Sequence, residues 1–286
     1  MLTSPELAPS KGRPVPTITT PDGVEIYYTE AGSGQPVVLS HGWPLSSDAW
    51  QVELKVFSDA GYRVIAHDRR GHGRSEKTSR GHDMDTYARD LAALVEALDL
   101  QNVVVMGHST GGGEVVKYAA RYSDGRVAKV VTFGAVPPLM LKTDANPDGV
   151  PLEVFDGIRA GVLADRSQFW KDLSESFFGA NHGREVSQGD KDDFWRQGML
   201  VNLVAAYDCI KAFSETDFTE DLAALEVPIL IAHGADDQIV PIDNAAEKAI
   251  ALVKDGILKV YDGAPHGIQG DYQLALHRDV LAWLAG

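Results

Sequence analysis

The chain has little cysteine, few basic residues and no long apolar run, and each shortage excludes a class of protein. Its one cysteine, Cys209, allows no intrachain disulfide, which is typical of a reducing compartment. No stretch approaches the roughly 18 apolar residues of a membrane span. Residues 1–16 lack a basic region followed by an apolar run, so they do not have the pattern of a signal peptide. We therefore expect a short leader there and a cytoplasmic protein that does not interact with membranes.

Acidic residues outnumber basic ones, 41 against 26, which gives a formal net charge of −15. A surface of that sign favours solubility and repels the phosphate backbone of nucleic acids. We therefore exclude nucleic acid as a partner and interpret the charge as that of a solvated surface. The 286 residues, 44% of them hydrophobic, are enough for one large α/β domain with an insertion or for two small domains.

Patterns for metals and nucleotide cofactors are also missing. The nine histidines include no His-Glu-x-x-His spacing, and one cysteine cannot form a zinc motif. The glycine-rich stretch 107–113 lacks the lysine of a phosphate-binding loop. We therefore expect no cofactor and no metal. Cys209 lies in a helix-like stretch, where a cysteine usually fills apolar space.

Short apolar runs alternate with helical patterns along most of the chain. The runs are continuous, as in parallel strands covered on both faces, and they lie at 36–42, 62–68, 102–108, 127–134, 227–234 and 257–263. Apolar residues at helical spacing fill 85–100 and 113–123. The alternating stretch 17–34, around a Pro-Asp-Gly turn, predicts an antiparallel hairpin at a sheet edge. Together these patterns predict an α/β fold with a mostly parallel central sheet flanked by helices.

The alternation of strand and helix patterns is absent between residues 135 and 217. The segment is rich in proline at first and then in aromatic residues at helical spacing. We predict that 135–217 forms a helical cap, inserted between two parts of an α/β core at 1–134 and 218–286. A second domain with its own function is the alternative, but no motif in the segment supports it.

One serine stands in a Gly-x-Ser-x-Gly pattern formed by Gly107, Ser109 and Gly111. A predicted strand precedes it and a predicted helix follows, so the glycines allow a tight strand-to-helix turn. Such a turn lifts the hydroxyl out of the sheet at the carboxyl ends of the strands, where ligands bind. The N-terminus of the helix also favours developing negative charge. We therefore predict that Ser109 is a nucleophile.

A serine nucleophile needs a base that is held in place by an acid. The strand at 227–234 is followed by Asp236 and Asp237, and the last strand is followed by His266. On this strand–turn–helix arrangement the acid and then the histidine follow the serine in chain order. All these positions lie just past the carboxyl ends of strands, so we expect them to converge with Ser109.

The motifs make the chain similar to the α/β-hydrolase superfamily, and closely to the cofactor-free (non-haem) haloperoxidase, perhydrolase and aryl esterase group. The matching stretches are SHGWPLSSDAW, HDRRGHGRS, GHSTGGGEV, YDCIKAFSETDF, VPILIAHGADDQIVP and GAPHG. The resemblance implies that Ser109 is the nucleophile and His266 the base. It also implies that Asp237, rather than Asp236, is the acid.

The resemblance also implies an oxyanion hole made by the backbone N–H groups of Trp43 and Thr110. Thr110 stands where many members of the group carry methionine. Pro44 follows the haloperoxidase pattern, whereas esterases of the group often carry leucine there. Proline restricts the preceding residue, so Pro44 is predicted either to aim the Trp43 carbonyl at peroxide or only to stiffen the loop.

The implied activity is that of a serine hydrolase that forms an acyl-enzyme on small acyl esters. Water then releases a carboxylic acid, and hydrogen peroxide releases a peracid that oxidises halide in solution, as in non-haem chloroperoxidases. The expected partners are an acyl ester or carboxylic acid and hydrogen peroxide, with no haem and no metal.

Three alternatives stay open or are set aside on the sequence. A plain carboxylesterase or lactonase without physiological perhydrolysis fits the same motifs. A ligand-sensing receptor with the hydrolase fold, which signals through its cap, also fits. Haloalkane dehalogenases and epoxide hydrolases carry aspartate where Ser109 stands, which argues against both. The sequence is compatible with a homo-oligomer.

Overall fold

The structure is a computed structural model that describes residues 15–286. Residues 1–14 of the predicted leader lie outside the described residues. The strands are β1 (Thr17–Thr19), β2 (Glu25–Gly32), β3 (Pro36–Ser40), β4 (Arg63–His67), β5 (Val103–His108), β6 (Val127–Phe133), β7 (Ile229–Gly234) and β8 (Gly256–Tyr261). The helices are α1 (Gln51–Asp59), α2 (Met84–Ala97), α3 (Thr110–Arg121), α4 (Leu152–Phe177), α5 (Gln188–Leu200), α6 (Leu203–Glu215), α7 (Thr219–Ala224), α8 (Ala246–Ile250) and α9 (Asp271–Ala285).

Within residues 15–286 the strands form one sheet in the order β1-β2-β4-β3-β5-β6-β7-β8. The pairs from β4 to β8 are parallel, and β2 pairs antiparallel with both β1 and β4. The predicted α/β fold with a mostly parallel sheet and an edge hairpin is therefore confirmed. Each of the six predicted apolar runs overlaps one of the strands from β3 to β8.

The central strands bury both of their faces, as their continuous apolar sequences predicted. In β5, Val103 and Val105 point into one core cluster, which contains residues of α2 and α3. Val104 and Met106 point into another cluster, which contains residues of α1 and α9. Because successive side chains of a strand face opposite sides, this alternation places β5 between two layers of helices.

Strand β8 does not follow that expectation. Its Ile257 and Val260 are 44% and 50% exposed, and of the whole strand only Tyr261 is buried. The strand lies at the edge of the sheet, beside β7. An apolar run of this length predicts a strand but not the number of elements that cover it, so the prediction of two covered faces was wrong for β8.

Helices α4, α5 and α6 lie between β6 and β7 in the chain. Their side chains form a third apolar cluster with Trp43 and Leu45 from the loop after β3. Local sequence sets where two of them begin, because Ser187 caps α5 and Asn202 caps α6 through their side-chain oxygens. The boundaries of the predicted cap, 135 and 217, stay a prediction.

No helix among residues 15–286 is long and apolar enough to span a bilayer.

Candidate active site

Ser109 occupies a strained turn between β5 and α3. Its backbone has φ 55° and ψ −121°, a conformation that non-glycine residues rarely adopt. Hydrogen bonds hold it there, because its N–H donates to the Phe133 carbonyl and its own carbonyl accepts from the Gly112 N–H. Such strain costs about 1–3 kcal/mol and persists only where the surroundings enforce it, which is typical of functional sites.

The glycines around Ser109 are required by close packing. A Cβ atom on Gly107 would lie 2.2 Å from the Gly111 carbonyl oxygen. A Cβ atom on Gly111 would lie 2.1 Å from the carbonyl oxygen of Ser40, at the end of β3. Both distances are far below van der Waals contact, so the two glycines bring β3, β5 and α3 together at the serine.

Asp237 and His266 form a buried hydrogen-bonded pair beyond the ends of β7 and β8. The His266 Nδ1–H donates to Asp237 Oδ2 over 2.7 Å. The other carboxylate oxygen, Oδ1, accepts from the backbone N–H groups of Ile239 and Val240 at 2.9 and 2.8 Å. Burial raises the pKa of Asp237, but the imidazoles of His266 and His233 outweigh it, so this pKa lies well below its usual range.

The neighbouring aspartate is placed differently. Asp236 is on the surface, where its Oδ2 lies 2.9 Å from Nδ1 of the exposed His182. The structure therefore brings Asp237, and not Asp236, to the imidazole of His266. The role of Asp237 as the acid stays a prediction, and this contact is the geometry that it requires.

Ser109, Thr110, Trp43 and His266 line one cavity, which we call the serine cavity, with a volume of about 240 Å³. Most of its wall is apolar and comes from the segment between β6 and β7. Its other lining residues are Val136, Met140, Val150, Val154, Phe155, Ile158, Phe169, Leu173, Phe177, Phe213, Gln238, Ile239, Val240 and Pro241. The predicted nucleophile, base and oxyanion residues are thus brought to a single space suited to an apolar group.

The loop that carries Trp43 passes directly over the serine. A Cβ atom on Gly42 would lie 3.1 Å from the Cβ of Ser109. The indole of Trp43 is fixed by its Nε1–H, which donates to the Ala206 carbonyl over 2.9 Å, and by an edge contact with Trp170. The Trp43–Pro44 peptide bond is cis. The roles predicted for the Trp43 N–H, the Thr110 N–H and Pro44 stay predictions.

Sequence reasoning missed a buried ionic network below the serine turn. Glu114 of α3 accepts hydrogen bonds from Ser40 Oγ, His67 Nε2 and Arg69 Nε at 2.7, 2.9 and 2.8 Å. Arg69 also donates to the His41 carbonyl over 2.7 Å. Burial raises the pKa of Glu114, but Arg69 and His67 lower it to about 2. The signal in the sequence was a glutamate and an arginine inside two of the quoted motifs.

His108, next to the serine, was also not given a role. Its ring stacks on Phe133 with centroids 4.3 Å apart, and its Nε2–H donates to the His266 carbonyl over 3.1 Å. Burial and the nearby His266 hold the pKa of His108 well below its ordinary value. A neutral His108 therefore supports the backbone of the predicted base.

A larger space, which we call the second pocket, has a volume of about 710 Å³. It is formed by the loop after β3, the start of α1, helix α5 and the loop after His266. Its lining residues are His41, Gly42, Leu45, Asp48, Ala49, Trp50, Gln51, Val52, Glu53, His108, Phe133, Phe177, Phe178, Asp190, Asp193, Phe194, Arg196, Gln197, Gly267, Ile268, Gln269, Gly270 and Gln273. Across residues 15–286, no group of three or more His, Cys, Asp or Glu side chains could hold a metal ion.

The family model for the alpha/beta hydrolase fold matches residues 35–271. This match covers most of the chain, including every residue predicted for the site. The chain therefore belongs to the α/β-hydrolase family.

Individual relatives show which group of α/β-hydrolases the chain resembles most. The chain is 55% identical to a "Non-heme haloperoxidase" from Rhodococcus erythropolis over 272 residues, 94% of this chain and 99% of the relative. It is 51% identical to a "Bifunctional esterase/perhydrolase" from Acinetobacter calcoaceticus over 271 residues, 93% and 98% of the two chains. The solved bromoperoxidase from Bacillus anthracis superposes with a TM-score of 0.89 at 36% identity, covering 92% of this chain and 96% of that one. The resemblance to the haloperoxidase and esterase group is confirmed.

Proposed function

We propose that the protein is a serine hydrolase that transfers small acyl groups from esters to water or to hydrogen peroxide. The observation that carries this proposal is the buried Asp237–His266 pair, 2.7 Å across, beside a conformationally strained Ser109 in one mainly apolar cavity. A hydroxyl, a base and a fixed anion in that order form the arrangement that acyl transfer needs.

Ser109 Oγ attacks the acyl carbon, and His266 takes the hydroxyl proton. Asp237 fixes the imidazole tautomer through Nδ1–H and stabilises the imidazolium that forms. The low pKa of Asp237 keeps this carboxylate charged throughout the working pH range. His266 then gives the proton to the leaving alcohol, and the acyl group stays on Ser109.

The tetrahedral oxyanion is held by two backbone donors. The Thr110 N–H lies at the first residue of α3, where the helix dipole favours negative charge. The Trp43 N–H comes from the loop that crosses the serine. Because both donors are main-chain groups, Thr110 can stand where related proteins carry methionine without loss of the oxyanion hole.

Two acceptors can complete the reaction. Water gives the carboxylic acid, whereas hydrogen peroxide gives a peracid, which oxidises halide in solution. The names of the relatives, haloperoxidase and esterase/perhydrolase, support both outcomes at one site. Each step of acyl transfer uses groups of the chain itself.

The wall of the serine cavity supports a role for 135–217 as a cap. Most of its apolar lining comes from Val136 to Phe213, while the reacting groups come from the flanking core. An apolar wall selects by size and shape, so we propose that the cap determines which acyl groups fit.

Ser109→Ala tests the shared nucleophile. Esterase activity on p-nitrophenyl acetate and peracid formation should both fall to near background, because one acyl-enzyme serves both reactions. Ser123→Ala removes a hydroxyl that donates to the Ala119 carbonyl and does not line the serine cavity, so it is the matched control and should keep both activities. Halide oxidation at the wild-type rate in purified Ser109→Ala, with carboxylate and peroxide present, would overturn the proposal. A wild type that turns over esters but never forms peracid would define a plain esterase.

A further inference from the structure

Glu114 and Arg69 form a fully buried ion pair to which the proposed acyl transfer gives no role. Neither side chain has any exposed surface, and Arg69 Nε donates to Glu114 Oε2 over 2.8 Å. Taking two charges out of water costs free energy that their attraction only partly offsets, so a buried pair is weak evidence of stability. The groups that the pair holds are therefore a better guide to its role.

The Glu114 end of the pair belongs to the helix that carries one proposed oxyanion donor. Glu114 follows Thr110 by four residues in α3, so the two lie on one face of the helix, one turn apart. Glu114 Oε2 also accepts from Ser40 Oγ over 2.7 Å, and Oε1 accepts from His67 Nε2 over 2.9 Å. Ser40 ends β3 and His67 ends β4. The carboxylate therefore fixes the N-terminal part of α3 against the ends of two strands.

The Arg69 end holds the loop that carries the other proposed donor, Trp43. Arg69 Nη2 donates to the His41 carbonyl over 2.7 Å, and the Arg69 backbone N–H donates to His41 Nε2 over 3.0 Å. Because Nε2 accepts, the ring proton lies on Nδ1, which donates to the Gly42 carbonyl over 2.8 Å. Burial, together with the charge of Arg69, holds the pKa of His41 well below its ordinary value, so the ring is neutral and keeps this tautomer.

The Gly42 carbonyl and the Trp43 N–H belong to the same peptide unit. A trans peptide unit is planar, and its carbonyl and N–H point in opposite directions. The Gly42 oxygen accepts from His41 Nδ1–H and from the Leu45 N–H, at 2.8 and 2.9 Å. Fixing this oxygen fixes the direction of the Trp43 N–H, so His41 aims one of the two proposed donors.

We propose that Glu114, Arg69 and His41 are positioning residues that set the direction and spacing of the two oxyanion donors. This inference rests on the proposed acyl transfer. Glu114 locates α3 and with it the Thr110 N–H. Arg69 and His41 locate the Gly42–Trp43 peptide. Donors that are fixed in advance need no reorganisation as charge develops on the acyl oxygen, and a misplacement of about 1 Å can cost about a hundredfold in rate.

Arg69→Lys tests the inference, because lysine keeps the positive charge beside Glu114 but cannot bridge the carboxylate and the His41 carbonyl as a planar guanidinium does. Acylation and deacylation both pass through an oxyanion. For p-nitrophenyl acetate, kcat should therefore fall about tenfold while KM stays nearly unchanged. Glu114→Gln should give a decrease of the same order, because a neutral amide cannot accept all three hydrogen bonds.

An alkyl trifluoromethyl ketone measures the oxyanion hole directly. It adds to Ser109 Oγ and forms a tetrahedral oxyanion, so its inhibition constant should rise about tenfold in both variants. The corresponding trifluoromethyl alcohol has the same shape but forms no oxyanion on the enzyme, and its inhibition constant should stay at the wild-type value. A role in stability alone would lower the midpoint of urea denaturation without changing either inhibition constant.

Asp90→Asn is the matched control for the loss of a buried carboxylate. Asp90 is buried and accepts from Nε of Arg70, the residue next to Arg69, over 2.6 Å. The Arg70 side chain donates to Asp90 and Asp22 rather than to the loop after β3. This variant should lose stability while it keeps kcat and both inhibition constants. If Arg69→Lys and Glu114→Gln behave in the same way, the inference is overturned although acyl transfer stands.

A pair of variants at His41 protects the test against poor folding of the charge variants. His41→Leu removes the donor to the Gly42 carbonyl, and it should lower kcat and weaken the trifluoromethyl ketone about tenfold. His41→Asn places an amide N–H near the position of Nδ1–H and should recover most of that loss. Equal activities of the two variants would contradict the role of His41. A wild type that the trifluoromethyl ketone does not inhibit would overturn the proposed function itself.

Discussion

The core side of the serine cavity and the side formed by the proposed cap, 135–217, which we call the cap side, are built on different principles. On the core side, Ser109, Asp237 and His266 are fixed by backbone strain, glycine packing and short hydrogen bonds. On the cap side, the wall consists of apolar side chains from α4 and its neighbours, such as Phe155 and Ile158, whose contacts carry no direction. The comparison separates two tasks, because reacting atoms need fixed geometry whereas an acyl chain needs only space of suitable shape.

Changes on the core side should therefore lower the rate for every ester, and changes on the cap side should alter preference among esters. Asp237→Asn gives the largest expected effect. It should lower kcat/KM for p-nitrophenyl acetate by about three to four orders of magnitude, because an amide neither fixes the tautomer nor stabilises the imidazolium. Asp236→Asn, its matched neighbour on the surface, should change kcat/KM less than about twofold. If the surface change proves the more damaging, the acid has been misassigned by one residue.

Glycine substitutions extend the comparison to stability. Gly111→Ala forces a Cβ atom to 2.1 Å from a backbone oxygen of β3 and should reduce the free energy of unfolding by about 3 kcal/mol or more. Gly157→Ala in cap helix α4 meets no atom within 4 Å, and it should stabilise the protein by about 0.5–1 kcal/mol. Urea denaturation measures both. Equal effects of the two substitutions would remove the distinction between a packed core and an open cap helix.

A cap substitution should change selectivity without changing chemistry. Ile158→Ala shortens a side chain of the apolar wall and so enlarges the serine cavity. The ratio of kcat/KM for a hexanoate ester to kcat/KM for an acetate ester should therefore rise about tenfold. Leu163→Ala, on the exposed side of the same helix, is the control and should keep the wild-type ratio. If kcat/KM for both esters falls by the same factor, Ile158 holds the reacting groups in place and does not set the size of the acyl group that fits.

The smallest expected effect concerns Pro44, where the core loop borders the cavity. Pro44→Leu should lower peracid formation relative to ester hydrolysis by about twofold to tenfold, the range that one aligned hydrogen bond provides. Both rates are measured on the same acyl donor. Equal decreases would show that Pro44 only stiffens the loop, and the name esterase would then describe the protein better.

Sequence alone predicted what depends on local pattern. The continuous apolar runs predicted the parallel strands. The strand ends located Ser109, His266 and the Asp236–Asp237 pair at one edge of the sheet, and the structure brings Asp237 and His266 together there. The choice between Asp236 and Asp237 was not decided by pattern and came from the resemblance. The two aspartates are adjacent in the chain, and the backbone of the turn after β7 determines that Asp237 points inward and Asp236 outward.

Other features depend on contacts between distant segments. Glu114 and Arg69 are separated by 45 residues, and neither of the motifs that contain them indicates that they meet beneath the serine turn. The exposure of β8 depends on which elements cover the edge of the sheet. Phe177 lines both the serine cavity and the second pocket, a position that no periodicity encodes.

The burial of Cys209 has a consequence for resistance to oxidation. The side chain is fully buried in the apolar cluster that also contains Trp43 and Leu45, and burial raises the pKa of the thiol to about 11. Only the thiolate reacts readily with peroxide, and near pH 7 roughly one thiol in ten thousand is ionised at this pKa. A catalyst proposed to consume hydrogen peroxide thus keeps its single sulfhydryl in the protonated, inaccessible form, so prolonged turnover in peroxide should leave Cys209 reduced.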